Sequence, residues 1–301
     1  MAIYKLIPSL KEYIWGGENL KEYRTTNLNS IAESWELSFH ENGLSCVNIE
    51  GEIIPLCDVV SKEELGENVK QFPFFPVLIK LIDAKENLSI QVHPSDDYAL
   101  VNENSFGKTE MWYVVSSEEK CGLYVGLKEN EKKENLNRYL LEGTILDHLN
   151  FYEVKEGDCY FIPSGTIHAI GKGVTILEIQ QNSNLTYRLF DYNRLDKNGN
   201  ARELHIDKAM RVVDLNKYEY IKKEGSLLGK CKYFTSYKKD AIVDKEIYEE
   251  DSFVSITFIS GSGKINGINY KKFDSFFITC KEKCVIDGDG NYILTKVEKY
   301  E

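Results

Sequence analysis

Four side chains able to bind a metal fall on three short apolar segments. Gln91 and His93 sit two residues apart in Leu88-Ser-Ile-Gln-Val-His93, so a strand there puts both on one face. Glu110 opens the aromatic run Glu110-Met-Trp-Tyr-Val-Val115. His168 closes Gly157-Asp-Cys-Tyr-Phe-Ile-Pro163-Ser-Gly165-Thr-Ile-His168, a strand that ends in a Pro-x-Gly turn and then presents an imidazole. Two imidazoles, a carboxylate and an amide oxygen suit zinc with one position open to water or substrate. The same ligand types also hold Fe(II) or Mn(II).

Each residue has a plainer reading: a core histidine after a turn, a polar strand face turned to solvent, an exposed glutamate at a strand entry. The pattern around them favours a site. Leu88, Ile90 and Val92 occupy the face opposite Gln91 and His93, so the polar face looks towards something polar. Lys80 precedes this strand, Lys108 lies two residues before Glu110, and Arg188 follows the His168 segment. Singly, each is an ordinary surface cation. Together, in a chain of net charge −11, they make a local trap for a phosphate or an enediolate, with the Ser89 hydroxyl beside them.

The elements that must carry these residues are mostly strands. Short alternating segments fill residues 1–56, and 57–71 reads as helix with Glu63, Glu64 and Glu67 on a solvated face. Pro76–Ile82 and Leu88–His93 read as a pair of buried strands, and Ser95 or Asp96 can cap a short helix after Pro94. Glu110–Val115 and Cys121–Val125 are expected to form a hairpin across the polar 116–120 turn. Residues 128–150 switch to helical spacing, with Gly143 dividing two short helices. Strand patterns resume through 192, a helix falls around 206–215, and the chain is β-type from about 220 onward, without a single histidine.

Length and composition bound the function. A chain of 301 residues holds two domains or one large α+β unit. The acidic balance argues against a nucleic-acid partner. Seven cysteines without a C-x-x-C pair suit a reducing cytosol. The N-terminus shows no apolar signal core, and the longest greasy run, 72–84, is too short and too polar to span a bilayer. The expectation is a cytoplasmic protein with no membrane partner.

The Gly157…Pro163-x-Gly165-x-x-His168 spacing resembles the second signature motif of the cupin barrels. Leu88–Pro94, Gly107-Lys-Thr-Glu-Met-Trp112, Phe161–Ile170 and Thr186–Arg194, with Trp15-Gly-Gly17 and Ala32-Glu-Ser-Trp-Glu36, closely resemble the type I mannose-6-phosphate isomerases in their short bacterial form. The resemblance implies a mainly β fold with small helical insertions and two cupin-like β-barrels of jelly-roll type, only the first carrying a metal. That divides the chain into a catalytic unit, 1–215, with its helical insertion near 128–150, and a C-terminal unit, 216–301.

It further implies one zinc ion per chain, held by Gln91, His93, Glu110 and His168, and a phosphorylated hexose in contact with Lys80 and Ser89. Arg188 and Lys108 are expected to be catalytic, and the protein to be a monomer or homodimer. The reaction would interconvert mannose 6-phosphate and fructose 6-phosphate through a cis-enediol. Lys108 would be neutral near pH 7 only if desolvated beside positive charge. Asp191, Glu178 and a metal-bound water are the other candidates for the base. Another metal-dependent cupin enzyme, such as an Fe(II) dioxygenase, and a non-catalytic sugar-phosphate-binding cupin are the alternatives.

Overall fold

The structure, a computed structural model, describes residues 2–196, 198–222 and 225–300. Its architecture follows from strands that are buried on one or both faces. Val77–Ala84, Glu110–Ser117 and Val174–Gln181 are rich in β-branched and aromatic residues, and most of their side chains lie in the interior. They form the centre of a six-stranded antiparallel sheet, flanked by Cys159–Ile162 on one side and by Glu33–Leu37 and Ser9–Lys11 on the other. A five-stranded sheet opposes it, in the spatial order Leu149–Glu153, Gly122–Leu127, His168–Ile170, Ile90–Val92, Tyr187–Phe190. Between them lie Ile82, Leu88, Trp112, Ile170 and Ile176. The chain is thus mainly β, with few helices, as the sequence indicates.

One local expectation is corrected by this topology. Glu110–Ser117 and Gly122–Leu127 are not a hairpin. The first pairs with Cys159–Ile162 and Val174–Gln181, whereas the second pairs with Leu149–Glu153 and His168–Ile170 in the opposite sheet. Val77–Ala84 and Ile90–Val92 are buried strands, as expected, and they too lie in opposite sheets. In both cases a short connection carries the chain from one sheet across the core to the other.

The outer face of the five-stranded sheet is covered by helices. Ile90, Val92, Ala169 and Leu189 pack there against Leu136, Tyr139 and Ala209 of helices Lys133–Glu142 and Ile206–Val212. Helix Lys133–Glu142 ends on Gly143, whose φ of 72° closes its last turn, and a 3-10 turn, Ile145–His148, follows. With Ile90 and Val92 engaged outward, Gln91 must face inward. Helix Asp96–Asn102 starts after Ser95, but the Ser95 side chain makes no capping bond.

The C-terminal part builds a second pair of sheets, of six and four strands, around Ile256, Phe258, Phe276 and Ile286. Ile3–Lys5, from the opposite end of the chain, adds to this six-stranded sheet alongside Ser275–Ile278. A shared core joins the two sheet pairs: Leu37, Ile79 and Leu177 meet Phe253, Phe277 and Ile293.

Candidate active site

The site is assembled by strand register. In the six-stranded sheet Glu178 lies directly opposite Lys80 on one neighbour and Trp112 on the other, and Trp35 lies opposite Lys80. In the five-stranded sheet His168 and Arg188 both stand opposite Gln91, from either side. Side chains at paired positions share a face, so these registers gather the polar groups of both sheets on their inner surfaces.

The turn before His168 is held as the sequence suggests. Thr166 N–H donates to Pro163 O at 3.1 Å around Gly165, whose φ is +88°. Gly165 N–H donates to His93 O at 2.8 Å, tying the turn to the neighbouring ligand segment. His168 Nδ1 donates to Thr166 O at 2.8 Å. That bond fixes the tautomer and turns the Nε2 lone pair into the site.

His93, Glu110 and His168, all fully buried, bring one nitrogen or oxygen each within 4.8 Å of one another. His168 Nε2 is 3.1 Å from His93 Nε2 and 3.3 Å from Glu110 Oε1, and His93 Nε2 is 3.6 Å from Glu110 Oε2. Glu110 Oε1 accepts no hydrogen bond. Lone pairs converging on one point, one of them on an unsatisfied buried carboxylate, fit a divalent cation. Gln91 Nε2 lies 3.4 Å from His168 Nε2, so a half-turn of its amide would place Oε1 at the same point.

Burial and the Lys108 charge push His93 well below the usual histidine range and His168 down to about 3, so both rings are neutral, as ligation requires. Burial, reinforced by the Glu178 carboxylate, pushes Glu110 upward.

Lys108 Nζ donates to Glu110 Oε2 at 2.5 Å and to His93 Nε2 at 3.2 Å, and it lies 3.6 Å from Glu178 Oε1. Burial alone would lower the lysine, but Glu110 and Glu178 outweigh it and hold its pKa above the ordinary value. Lys108 is therefore a fixed cation. Lys80, 5% exposed, stands 3.4 Å from Glu33 and 3.7 Å from Glu178, over the Trp35 ring.

A cavity of about 510 Å³ opens onto this cluster. Lys80 and Ser89, expected at the substrate, Lys108 and Arg188, expected to be catalytic, and the expected ligand Gln91 all line it. Arg188 Nε donates to Ser89 Oγ at 3.3 Å, and its Nη1 donates to Glu203 O at 2.7 Å.

The two carboxylates considered as bases separate sharply. Asp191 does not line the cavity. It accepts from Arg194 and Arg202, which together overcome the effect of burial and hold it below the usual carboxylate range. Glu178 does line the cavity, takes one hydrogen bond from Trp112 Nε1 at 2.9 Å, and keeps Oε1 without a hydrogen bond. Burial would raise its pKa, but Lys108 and Lys80 prevail and keep it low.

Lys11, Glu33 and Arg202 also line the cavity and were missed by sequence reasoning. Only the alternation within Val174-Thr-Ile-Leu-Glu-Ile-Gln-Gln181, which puts Glu178 on the face of Gln180, offered a comparable local signal for an inward carboxylate.

Residues 3–119 match the family model of the phosphomannose isomerase type I catalytic domain. A mannose-6-phosphate isomerase of Streptococcus mutans is 36% identical over 264 residues, which cover 84% of this chain and 83% of the relative. Mannose-6-phosphate isomerase ManA of Bacillus subtilis is 35% identical over 275 residues, covering 86% and 85% of the two chains. The crystal structure of a mannose 6-phosphate isomerase from Bacillus subtilis superposes with a TM-score of 0.89 at 34% identity, across 98% of this chain and 99% of that one.

Proposed function

The chain belongs to the type I phosphomannose isomerases and is a mannose-6-phosphate isomerase, and from that premise we propose how its residues carry the reaction. His93, Glu110, His168 and Gln91 would hold one zinc ion. The observation that carries this reading is the convergence of two neutral imidazoles on a buried carboxylate whose Oε1 has no hydrogen-bond partner. Bound there, zinc supplies an electrophile for the sugar's C1 and C2 oxygens.

The residues do the rest. Interconverting mannose 6-phosphate and fructose 6-phosphate removes a proton from C2 of the aldose and delivers it to C1, while a hydroxyl proton passes between O1 and O2. Glu178 takes and returns the carbon-bound proton. Its Oε1 is unbonded, it faces the cavity, and it stays ionised between Lys80 and Lys108. Lys108 stabilises the negative charge that develops on the enediol oxygens, as a fixed cation rather than as a base. Trp112 holds Glu178 through its indole N–H and meets the His168 ring edge-on, with centroids 5.3 Å apart.

Arg188 and Ser89 bind the phosphorylated end of the hexose, with Lys80 on the opposite wall. Among the described residues, all those lining the cavity precede position 216, in keeping with a catalytic unit spanning 1–215 and a C-terminal unit, 216–301, without ligands of its own. Among the described residues no helix is long and apolar enough to cross a membrane. The test is a metal analysis of the purified protein combined with turnover. About one zinc per chain in active protein is expected, and active protein free of metal overturns the assignment.

A further inference from the structure

We propose that Arg202, clamped by Asp191, is a second phosphate-binding arginine that faces the cavity beside Arg188. The inference rests on the reading of the cavity as a sugar-phosphate site and extends it to residues outside the motif set.

Arg202 belongs to a loop that leaves the Tyr187–Phe190 strand and folds back on itself. Asp196 Oδ1 accepts from the backbone N–H groups of Asn198 and Asn200, and Leu195 bridges to Ala201. Gly199, at φ +81°, makes the reversal. The loop therefore returns Arg202 to a residue of its own starting point. Arg202 Nε donates to Asp191 Oδ2 at 2.8 Å and its Nη2 to Asp191 Oδ1 at 2.5 Å.

That bidentate bond fixes the plane of the guanidinium and turns its Nη1 edge away from the carboxylate. Arg202 lines the cavity, and Asp191 does not. Asp191 is 5% exposed and is anchored in turn by Arg194, whose Nη1 donates to Asn87 O at 2.6 Å. Arg194 and Arg202 thus share a single carboxylate, and Arg188, bonded to Ser89 and Glu203 O, lies close enough to feel both charges. Their charges repel one another, and Arg202 is the strongest charge opposing protonation of Arg188.

One carboxylate between Arg194 and Arg202, with Arg188 nearby, leaves a local positive excess at the cavity wall that a bound anion would neutralise. A phosphate dianion accepts bidentately from two guanidinium edges at once and neutralises their charge, whereas the hydroxyls of a neutral hexose supply no compensating charge. Arg202 is on this account a substrate contact and Asp191 a positioning residue.

The test compares wild-type holoenzyme with Arg202→Gln and Arg202→Lys, with melting temperature and metal content checked for each. Inorganic phosphate is titrated both as a competitive inhibitor and calorimetrically. Arg202→Gln is expected to weaken phosphate binding and raise KM for mannose 6-phosphate roughly 10- to 100-fold, with a far smaller change in kcat. Arg202→Lys should recover part of the loss, since it keeps the charge and loses the fork. A folded, metal-loaded Arg202→Gln protein that binds inorganic phosphate as wild type does overturns the proposal. Turnover and calorimetry separate the two readings: a wild-type protein without isomerase turnover contradicts the proposed mechanism, whereas the calorimetric dependence of phosphate binding on Arg202 tests this inference by itself.

Discussion

Lys108 Nζ stands 2.5 Å from Glu110 Oε2, on side chains no more than 5% exposed. The two residues are two apart and so share one face of their segment. An ammonium this close to two buried carboxylates stays protonated. Its use is therefore as positive charge next to the reacting oxygens. Replacing Lys108 with Met should lower kcat by roughly 10²–10³-fold while bound metal is retained. Metal analysis alongside steady-state kinetics checks this, and loss of metal together with activity would instead make Lys108 a structural support of the ligands.

Glu178 is the carboxylate placed to move the proton. Glu178→Gln keeps its shape and its bond from Trp112 but removes the base, so turnover should fall by roughly 10²–10⁴-fold with KM little changed. Exchange of the C2 hydrogen of mannose 6-phosphate with deuterated solvent, followed by NMR, should fall in parallel. Undiminished exchange in this variant would assign the base elsewhere.

Ligand and substrate residues should come apart cleanly. His168→Ala removes a nitrogen from the cluster and should lose metal and activity together. Arg188→Ala leaves the cluster untouched, so metal should stay bound while kcat/KM collapses. Near-normal turnover in Arg188→Ala would remove that residue from the substrate pocket.

Asp191 gives a pH test with a definite sign. Arg202 and Arg194 hold its folded pKa below the ordinary value of 3.8. As pH falls, the unfolded chain therefore takes up the proton first. The stabilisation is complete above 3.8 and disappears as pH drops through the lower, folded value. Asp191→Asn should thus lower stability at pH 7 by roughly 1.5–3 kcal/mol, and the difference from wild type should shrink in strong acid. Denaturant melts at neutral and acidic pH measure it, and a difference independent of pH would show that Asp191 is not held by its arginines.

Much of the site was legible because its residues sit at local, period-two positions. Gln91 and His93 are separated by one apolar residue that packs outward, and His168 follows a turn that needs Gly165 at positive φ. The pairing of elements was less legible. Glu110–Ser117 and Gly122–Leu127 look like a hairpin because a short polar turn joins them, yet the chain crosses there between sheets, and alternation is the same in either case. Ile3–Lys5 pairs with a strand some 270 residues away, and nothing in three residues encodes that. Arg202 reads as one more surface cation in a polar loop. Only the return of that loop onto Asp191 reveals it as part of the cavity wall.

The most direct measurement is a coupled assay for fructose 6-phosphate formed from mannose 6-phosphate by three preparations: the purified protein, the protein stripped with chelator, and the stripped protein given zinc. The account predicts turnover in the first, none in the second and its return in the third. Undiminished turnover after complete removal of metal would contradict it.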